Sequence, residues 1–142
     1  MATADHQAGS LATSHVIAKL PAQDLDRARA FYRDQLGLEP VEEREGGLRY
    51  CCAAGEFHVF LSSGVASGTS TQLGFEVADI EATVAELRER GVVFEHFDAP
   101  GFEMVDGIVD IADNYASKGT GERGAWFRDS EGNLLALGQA TR

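Results

Sequence analysis

The sequence predicts an α+β domain in which two similar modules form a curved mixed sheet with their helices outside. Two observations predict this fold. A strand followed by a helix and several further strands occurs twice, and the aspartates placed to cap the two helices, Asp24 and Asp79, lie 55 residues apart. The chain has 142 residues, of which 44% are hydrophobic, which suits one domain with its own core.

The first module starts with the β-rich segment HVIAKL, which PAQD interrupts before the helical segment LDRARAFYRDQLGL. Asp24 is placed to cap this helix, Ala28 and Tyr32 fall on its apolar face, and Gly37 is placed to end it. The short segments PVEE, GLRYCC and FHVFLSS then predict a β-meander. We assign this module to residues 14–64, preceded by a disordered tail at residues 1–13.

The second module, at about residues 71–140, repeats the scheme. QLGFEV predicts a strand, IEATVAELRER a helix that ends near Gly91, and GAWFRDSEGNLLAL a closing β-hairpin around a five-residue turn. The stretch from Asp98 to Arg123 is less regular but carries too many apolar residues for a plain linker. It either packs as a lid over a cavity or across a partner subunit, or it is an ordinary loop that covers the open end of a sheet.

Charge and cysteine usage exclude several classes of partner. The net charge of −11 and the pI near 4.6 argue against nucleic acid and anionic membranes, because phosphate binding needs clustered Lys and Arg. Cys51 and Cys52 are adjacent, so in a strand their side chains point to opposite faces and do not bridge easily. We therefore expect reduced thiols and a cytoplasmic protein. No apolar run approaches the roughly 20 residues needed to span a bilayer, and the start of the chain lacks the pattern of a signal peptide.

Three segments carry a resemblance to a known family: LPAQDLDRARAFYRDQLGLEP, VADIEATVAELRERGV and AWFRDSEGNLLAL. In this order they resemble the vicinal oxygen chelate superfamily, which includes glyoxalase I, bleomycin-resistance proteins and extradiol dioxygenases. The resemblance extends from about Ser14 to Gly138. It implies two paired βαβββ modules whose sheets curl around a cavity, often completed by a homodimer. It does not single out one chemistry, because the superfamily includes isomerases, dioxygenases, transferases and metal-free drug-binding proteins.

The resemblance also implies where a metal would be held, since similar metal-dependent members place His or Glu at four positions on the cavity face. The four positions in this chain are Ile17, Val59 or Phe60, Gln72 and Ala136. Aliphatic side chains do not coordinate metals, and a neutral amide is a poor ligand for zinc, nickel or iron. The sequence therefore predicts that the usual metal site is absent and that no cofactor is bound. A displaced site that uses His15, His58, His96, Glu76 or Glu103 is a less favoured alternative.

Strand alternation predicts which polar side chains face the cavity. If Ile17 faces inward, so does Lys19, while alternation in the second module turns Gln72 and Glu76 inward. Lys19 and Glu76 are candidates for a general acid and base, or for an ion pair at the rim.

Aromatic residues form a second set of candidates, because small-molecule sites combine apolar walls with a few polar anchors. Four of them lie on or near strands that would border the cavity: Tyr50, Phe60, Phe102 and Trp126. Trp126 is the first candidate for stacking on a ligand. The alternative is a core tryptophan, because Trp126 and Phe127 must point to opposite faces.

These observations favour a metal-independent protein, similar to the bleomycin-resistance type, that binds and sequesters a drug-like or planar organic ligand. The predicted ligand-binding residues are Ile17, Tyr50, Phe60, Gln72, Phe102, Trp126 and Ala136. The alternative is a glyoxalase-like lyase or isomerase, or a dioxygenase. Such an enzyme would be metal-free with Lys19 and Glu76 as acid and base, or would use displaced metal ligands. The sequence leaves open whether there is turnover.

Overall fold

A computed structural model describes residues 9–142, which form two sheets and two α-helices. The predicted tail at residues 1–13 lies partly outside the described residues, since the description begins at Gly9. Within it, Ser10–Thr13 form a single 3-10 turn whose side chains are all exposed.

The second module repeats the topology of the first and adds one short edge strand. The first contains β1 (Ala18–Ala22), α1 (Leu25–Leu36), β2 (Glu42–Arg44), β3 (Gly47–Cys51) and β4 (Glu56–Leu61). The second contains β5 (Thr71–Glu76), α2 (Ile80–Glu89), β6 (Met104–Val105), β7 (Ile108–Ile111), β8 (Gly121–Arg128) and β9 (Leu134–Thr141). The strand orders are β1-β4-β3-β2 and β5-β9-β8-β7-β6. In each sheet the strand before the helix pairs in parallel with the last strand, and the other pairs are antiparallel. This repetition confirms the predicted fold class.

The ends of both helices follow from local sequence. The side chains of Asp24 and Asp79 each accept a hydrogen bond from the backbone N–H three residues later, at 2.9 and 3.1 Å. Gly37 ends α1 with a left-handed φ of 71°. The second helix ends at Glu89, and Gly91 follows with a φ of 99°. The predicted caps and terminators are therefore present.

The helix-facing side chains of both sheets join in one core within the described residues. Fully buried members include Leu20, Tyr32, Val59, Phe127 and Leu135. The core continues from one module into the other, because the ring of Phe57 on β4 meets that of Phe75 on β5 edge-on, with centroids 6.1 Å apart. The opposite face of each sheet carries no helix, and we call it the open face.

Tyr50 corrects one prediction. It was expected to border the cavity, but its side chain is 1% exposed and belongs to the core. Its ring stacks on that of Phe57, with centroids 4.9 Å apart and planes 8° apart. Leu48 and Tyr50 share the helix-facing side of β3, so Arg49 between them faces the open side.

The turn DSEGN ties the closing hairpin to the first module. The hydroxyl of Tyr32 on α1 donates a hydrogen bond to Oδ2 of Asp129 at 2.8 Å. Asn133 Nδ2 donates to the same carboxylate oxygen at 2.8 Å and to the carbonyl of Pro21 on β1 at 3.0 Å. Burial, followed by the neighbouring carboxylate of Asp129, raises the pKa of Tyr32 well above its ordinary value. The phenol therefore stays a donor at neutral pH.

A second contact from the same turn reaches the start of α1. The carboxylate of Glu131 is buried and accepts from Arg27 Nε at 2.7 Å and from Arg27 Nη2 at 2.9 Å. Its Oε1 also accepts from the backbone N–H groups of Gln23 and Asp24, at 2.9 and 3.2 Å. These bonds lower the pKa of Glu131 to about 2, with the bond to Arg27 as the largest cause.

The irregular stretch from Asp98 to Arg123 is partly sheet. β6 and β7 form a short hairpin, and β7 pairs with β8 at the edge of the second sheet. Phe102 lies before this hairpin and packs against Trp126 with ring centroids 5.8 Å apart. Phe102 and Ile108 therefore pack onto the sheet, whereas Val105 and Tyr115 of the same stretch are exposed.

Candidate functional site

Trp126 lies on the open face of β8. Phe127 is fully buried in the core, so the adjacent Trp126 points away from the helices. Its ring meets that of Phe97 at 5.7 Å and that of Phe102 at 5.8 Å between centroids, and the two phenylalanines meet at 6.4 Å. We call Phe97, Phe102 and Trp126 the aromatic cluster. Its members are half-buried, so part of each ring remains available.

The indole is held in place from two sides. Trp126 Nε1 donates to Oγ1 of Thr71 at 3.1 Å. Gly124 leaves room for the ring, because a Cβ there would lie 3.0 Å from Cη2 of Trp126. The indole therefore has a fixed orientation relative to the sheet.

A floor of small residues lies beside the aromatic cluster. Ala136 is in register with Trp126 on one side and with Gly74 on the other, while Gly138 is in register with Gly124. We call Gly74, Gly124, Ala136 and Gly138 the small-residue floor. A Cβ built on Gly74 would come no closer than 4.0 Å to any neighbouring atom, so the space above that residue is open. A flat molecule can therefore approach the sheet closely at Gly74, whereas the side chains of Trp126 and Glu122 cover Gly124 and Gly138.

Strand β5 departs from the simple alternation that was predicted for it. A register shift lies between Thr71 and Leu73, and Thr71 is the residue that reaches Trp126. Gln72, which was predicted to bind ligand, lies at this bulge and is half-buried. Its Oε1 is buried and has no hydrogen-bond partner among the described residues. A donor group on a bound molecule would satisfy this oxygen.

Lys19 and Glu76, the predicted acid and base, lie in different sheets. Glu76 at the end of β5 accepts a hydrogen bond from Lys118 Nζ at 2.7 Å, and this bond raises the pKa of Lys118. Lys19 lies in the other sheet, in register with His58. In this structure the nearest cation to the Glu76 carboxylate is thus Lys118.

A cavity of about 390 Å³ lies over the open face of the first sheet. One row across the four strands consists of Lys19, His58, Arg49 and Glu42. The next row consists of Pro21, Phe60, Gly47 and Arg44. Phe60, a predicted ligand-binding residue, is half-buried in the floor of this cavity.

Glu56 holds two of the polar side chains that line the cavity, Arg49 and His58. Its Oε2 lies 2.8 Å from both Arg49 Nε and His58 Nε2. These two bonds, with that from Arg49 the larger cause, lower the pKa of Glu56 to about 2. Sequence reasoning did not select Glu56, although the polar alternation of Glu56 and His58 on β4 could have indicated it.

The four implied metal positions do not fit a metal ion. Ile17 precedes β1 and is aliphatic, Ala136 offers a methyl group, and Gln72 offers an amide. Of the two residues predicted for the third position, Val59 is fully buried in the core, and Phe60 offers an aromatic ring that does not coordinate a metal.

The candidates for a displaced metal site do not converge either. Across residues 9–142 no three His, Cys, Asp or Glu side chains meet in a group that could hold a metal. His15 is exposed, and His96 lies 3.3 Å from Asp98 on an exposed segment.

Comparison with protein families identifies the superfamily of this chain. The model of the Glyoxalase/Bleomycin resistance protein/Dioxygenase superfamily matches residues 13–137. A comparison with curated proteins finds no significant match. None of the helices within residues 9–142 is long and apolar enough to span a bilayer.

Solved structures share the fold at low sequence identity. An antibiotic-binding protein, TnmS3 from Streptomyces sp. CB03234, is 23% identical with a TM-score of 0.60, covering 92% of this chain and 98% of that protein. A glyoxalase/bleomycin resistance protein/dioxygenase from Alicyclobacillus acidocaldarius is 19% identical with a TM-score of 0.64, covering 92% and 93%. A protein of the same description from Nocardioides is 14% identical with a TM-score of 0.66, covering 99% and 90%.

Proposed function

This chain belongs to the Glyoxalase/Bleomycin resistance protein/Dioxygenase superfamily, and from that premise we propose that it binds a planar organic molecule without using a metal. The observation that carries the proposal is the aromatic cluster beside the small-residue floor on the second sheet. A flat ligand that lies on this floor contacts the backbone from below and an aromatic ring from the side.

The geometry of Trp126 supports a role in stacking on a ligand rather than a purely structural role. Its indole N–H is already satisfied by Thr71, so the ring needs no polar partner from a ligand. An aromatic pair contributes about 0.5–1.5 kcal/mol beyond its buried area. Because Thr71 and Gly124 fix the ring, little of this is lost in ordering the side chain on binding.

Charge supports a cationic ligand. The chain has a net charge of −11, which attracts cations from a distance. Close to the floor, a Cβ on Gly138 would lie 2.7 Å from Oε2 of Glu122, so this carboxylate lies directly over the glycine. The antibiotic-binding protein TnmS3, which shares the fold, is consistent with a small-molecule role.

The proposal includes sequestration of the ligand in the cytoplasm, a homodimer, and a single domain at residues 14–140. It gives less weight to acid–base catalysis by Lys19 and Glu76, because Glu76 is bound to Lys118 and Lys19 belongs to the first-sheet cavity.

The experiment is a titration with proflavine, a planar cationic dye whose own fluorescence reports binding. We expect saturable binding that Trp126→Leu weakens about tenfold, because the change removes a ring that faces the ligand. Phe31→Leu is the matched control: it removes a ring on α1, which packs against the first sheet, and should change the affinity less than twofold. Absence of saturable binding, or equal losses in the two variants, would refute the proposal.

A further inference from the structure

A cavity of about 160 Å³ lies on the helix side of the sheets, where the two modules meet. Its apolar lining, drawn from both modules, includes Leu36, Leu38, Phe75, Val77, Phe127 and Leu137. Phe127 and Leu137 are buried in the core and directly follow Trp126 and Ala136, which lie on the open face. This cavity, which we call the seam pocket, is therefore separate from the candidate site.

The polar side chains that α2 contributes to the seam pocket are already bound to other groups. Thr83 Oγ1 donates to the backbone carbonyl of Asp79 at 3.0 Å. The carboxylate of Glu86 is exposed and lies 3.4 Å from Nε of Arg90. A water molecule needs roughly two to four polar partners to be held in a cavity, so the seam pocket suits an apolar molecule better than ordered water.

Cys52 gives the seam pocket a sulfur atom at its edge. Burial, followed by the charge of Cys51, raises the pKa of this thiol. Neutral sulfur makes favourable contacts with aromatic rings. Tyr50 belongs to the core, so alternation along the chain turns Cys51 to the open side. The two adjacent thiols therefore lie on opposite sides of the first sheet.

We propose that the seam pocket binds one uncharged molecule with a single aromatic ring, which contacts both modules at once. A cavity of about 150 Å³ lined by Leu, Ile and Phe stays dry and binds benzene, and the seam pocket is close to it in volume and similar in lining. Leu36, Leu38, Phe75 and Val77 are half-buried, so the bound ring would remove apolar surface from water. Because only the folded chain brings these residues together, the ligand should also raise the melting temperature.

The test is a fluorine NMR titration of fluorobenzene into the full chain, with para-fluorobenzamide as its polar counterpart. We expect saturable binding of fluorobenzene, and binding of the amide weaker by about tenfold or more, because the pocket leaves amide groups without partners. Val77→Phe places a ring in the pocket and should abolish this binding. Val105→Phe, at an exposed valine on β6, is the matched control and should leave it unchanged.

The location of the ligand is read from the two thiols. The rate of alkylation by N-ethylmaleimide is measured in Cys51→Ser, which keeps Cys52, and in Cys52→Ser, which keeps Cys51. Saturating fluorobenzene should slow the reaction of Cys52 about threefold or more, because the ring covers the sulfur, and should leave that of Cys51 unchanged. This readout does not depend on the folding of Val77→Phe.

The seam pocket is independent of the proposed function, because it lies on the opposite side of the sheet and takes an uncharged ligand. Trp126→Leu should therefore weaken proflavine binding and leave fluorobenzene binding unchanged. The proposal would be overturned by a lack of saturable fluorobenzene binding, by equal affinity for the amide, or by equal effects of the two phenylalanine variants. Equal protection of both thiols, or loss of fluorobenzene binding in Trp126→Leu, would overturn it as well.

Discussion

Replacing Glu131 with glutamine tests how strongly the closing hairpin is tied to α1. The side chain keeps its size and an acceptor for the backbone N–H of Gln23, but loses the charge that pairs with Arg27. Because the Glu131 side chain is fully buried in this contact, the charge contributes more than an exposed ion pair would.

The magnitude follows from the pKa of Glu131. The folded protein lowers it from 4.5 to about 2, and this difference corresponds to about 3 kcal/mol of folding free energy at neutral pH. Because the pKa of Glu131 is lower in the folded protein than in the unfolded one, the charged carboxylate stabilises the fold. The stabilisation is complete above the unfolded pKa of 4.5 and is lost as the pH falls toward 2, where the folded protein also becomes protonated.

The assay is urea unfolding, followed by circular dichroism at pH 7 and at pH 3, on the wild type and Glu131→Gln. We expect a loss of about 2–3 kcal/mol at pH 7 and a clearly smaller loss at pH 3. Glu43→Gln, which removes a carboxylate from the exposed pair with Arg29, serves as the control and should cost less than about 0.5 kcal/mol. If the Glu131 variant loses the same free energy at both pH values, the charge is not the cause and the reasoning fails.

Two further changes test neighbouring features. Tyr32→Phe removes the buried donor to Asp129 and should lower the free energy of unfolding by about 1–3 kcal/mol in the same urea assay; a loss below about 0.5 kcal/mol would contradict that hydrogen bond's importance. Gly124→Ala places a Cβ 3.0 Å from the indole of Trp126, so we expect an altered tryptophan emission maximum and proflavine binding weakened several-fold. Gly46→Ala, where an added Cβ meets nothing within 4 Å, should leave both unchanged, and equal effects of the two changes would remove the steric argument.

Local signals in the sequence account for the features that were predicted correctly. Helix caps and terminators depend on contacts within four residues, so Asp24, Asp79 and Gly37 could be read directly. The duplication was visible because both modules use the same caps. The opposite orientation of Trp126 and Phe127 was also predictable, but choosing which of them faces the core required the structure.

Errors arose where an assignment depended on register or on distant contacts. The third metal position was left open between Val59 and Phe60, and only the structure shows that Val59 belongs to the core while Phe60 is half-buried on the opposite face. Tyr50 was assigned by its strand without use of the alternation that places it with Leu48 in the core. No local pattern indicates the bulge after Thr71 or the pairing of Arg27 with Glu131, which are 104 residues apart.

The contacts of the hairpin turn explain why a family resemblance can be strong while the chemistry stays undefined. The polar side chains of the hairpin turn form hydrogen bonds with α1 and β1 through Asp129, Glu131 and Asn133. This motif therefore indicates that the two modules are joined. Three of the implied metal positions, Ile17, Gln72 and Ala136, lie outside the core, where a substitution leaves the packing intact. A substitution at these positions and a substitution in the hairpin turn therefore affect separate contacts. A change such as Ala136→Glu would alter the open face beside Trp126 without touching the hairpin contacts that hold the modules together.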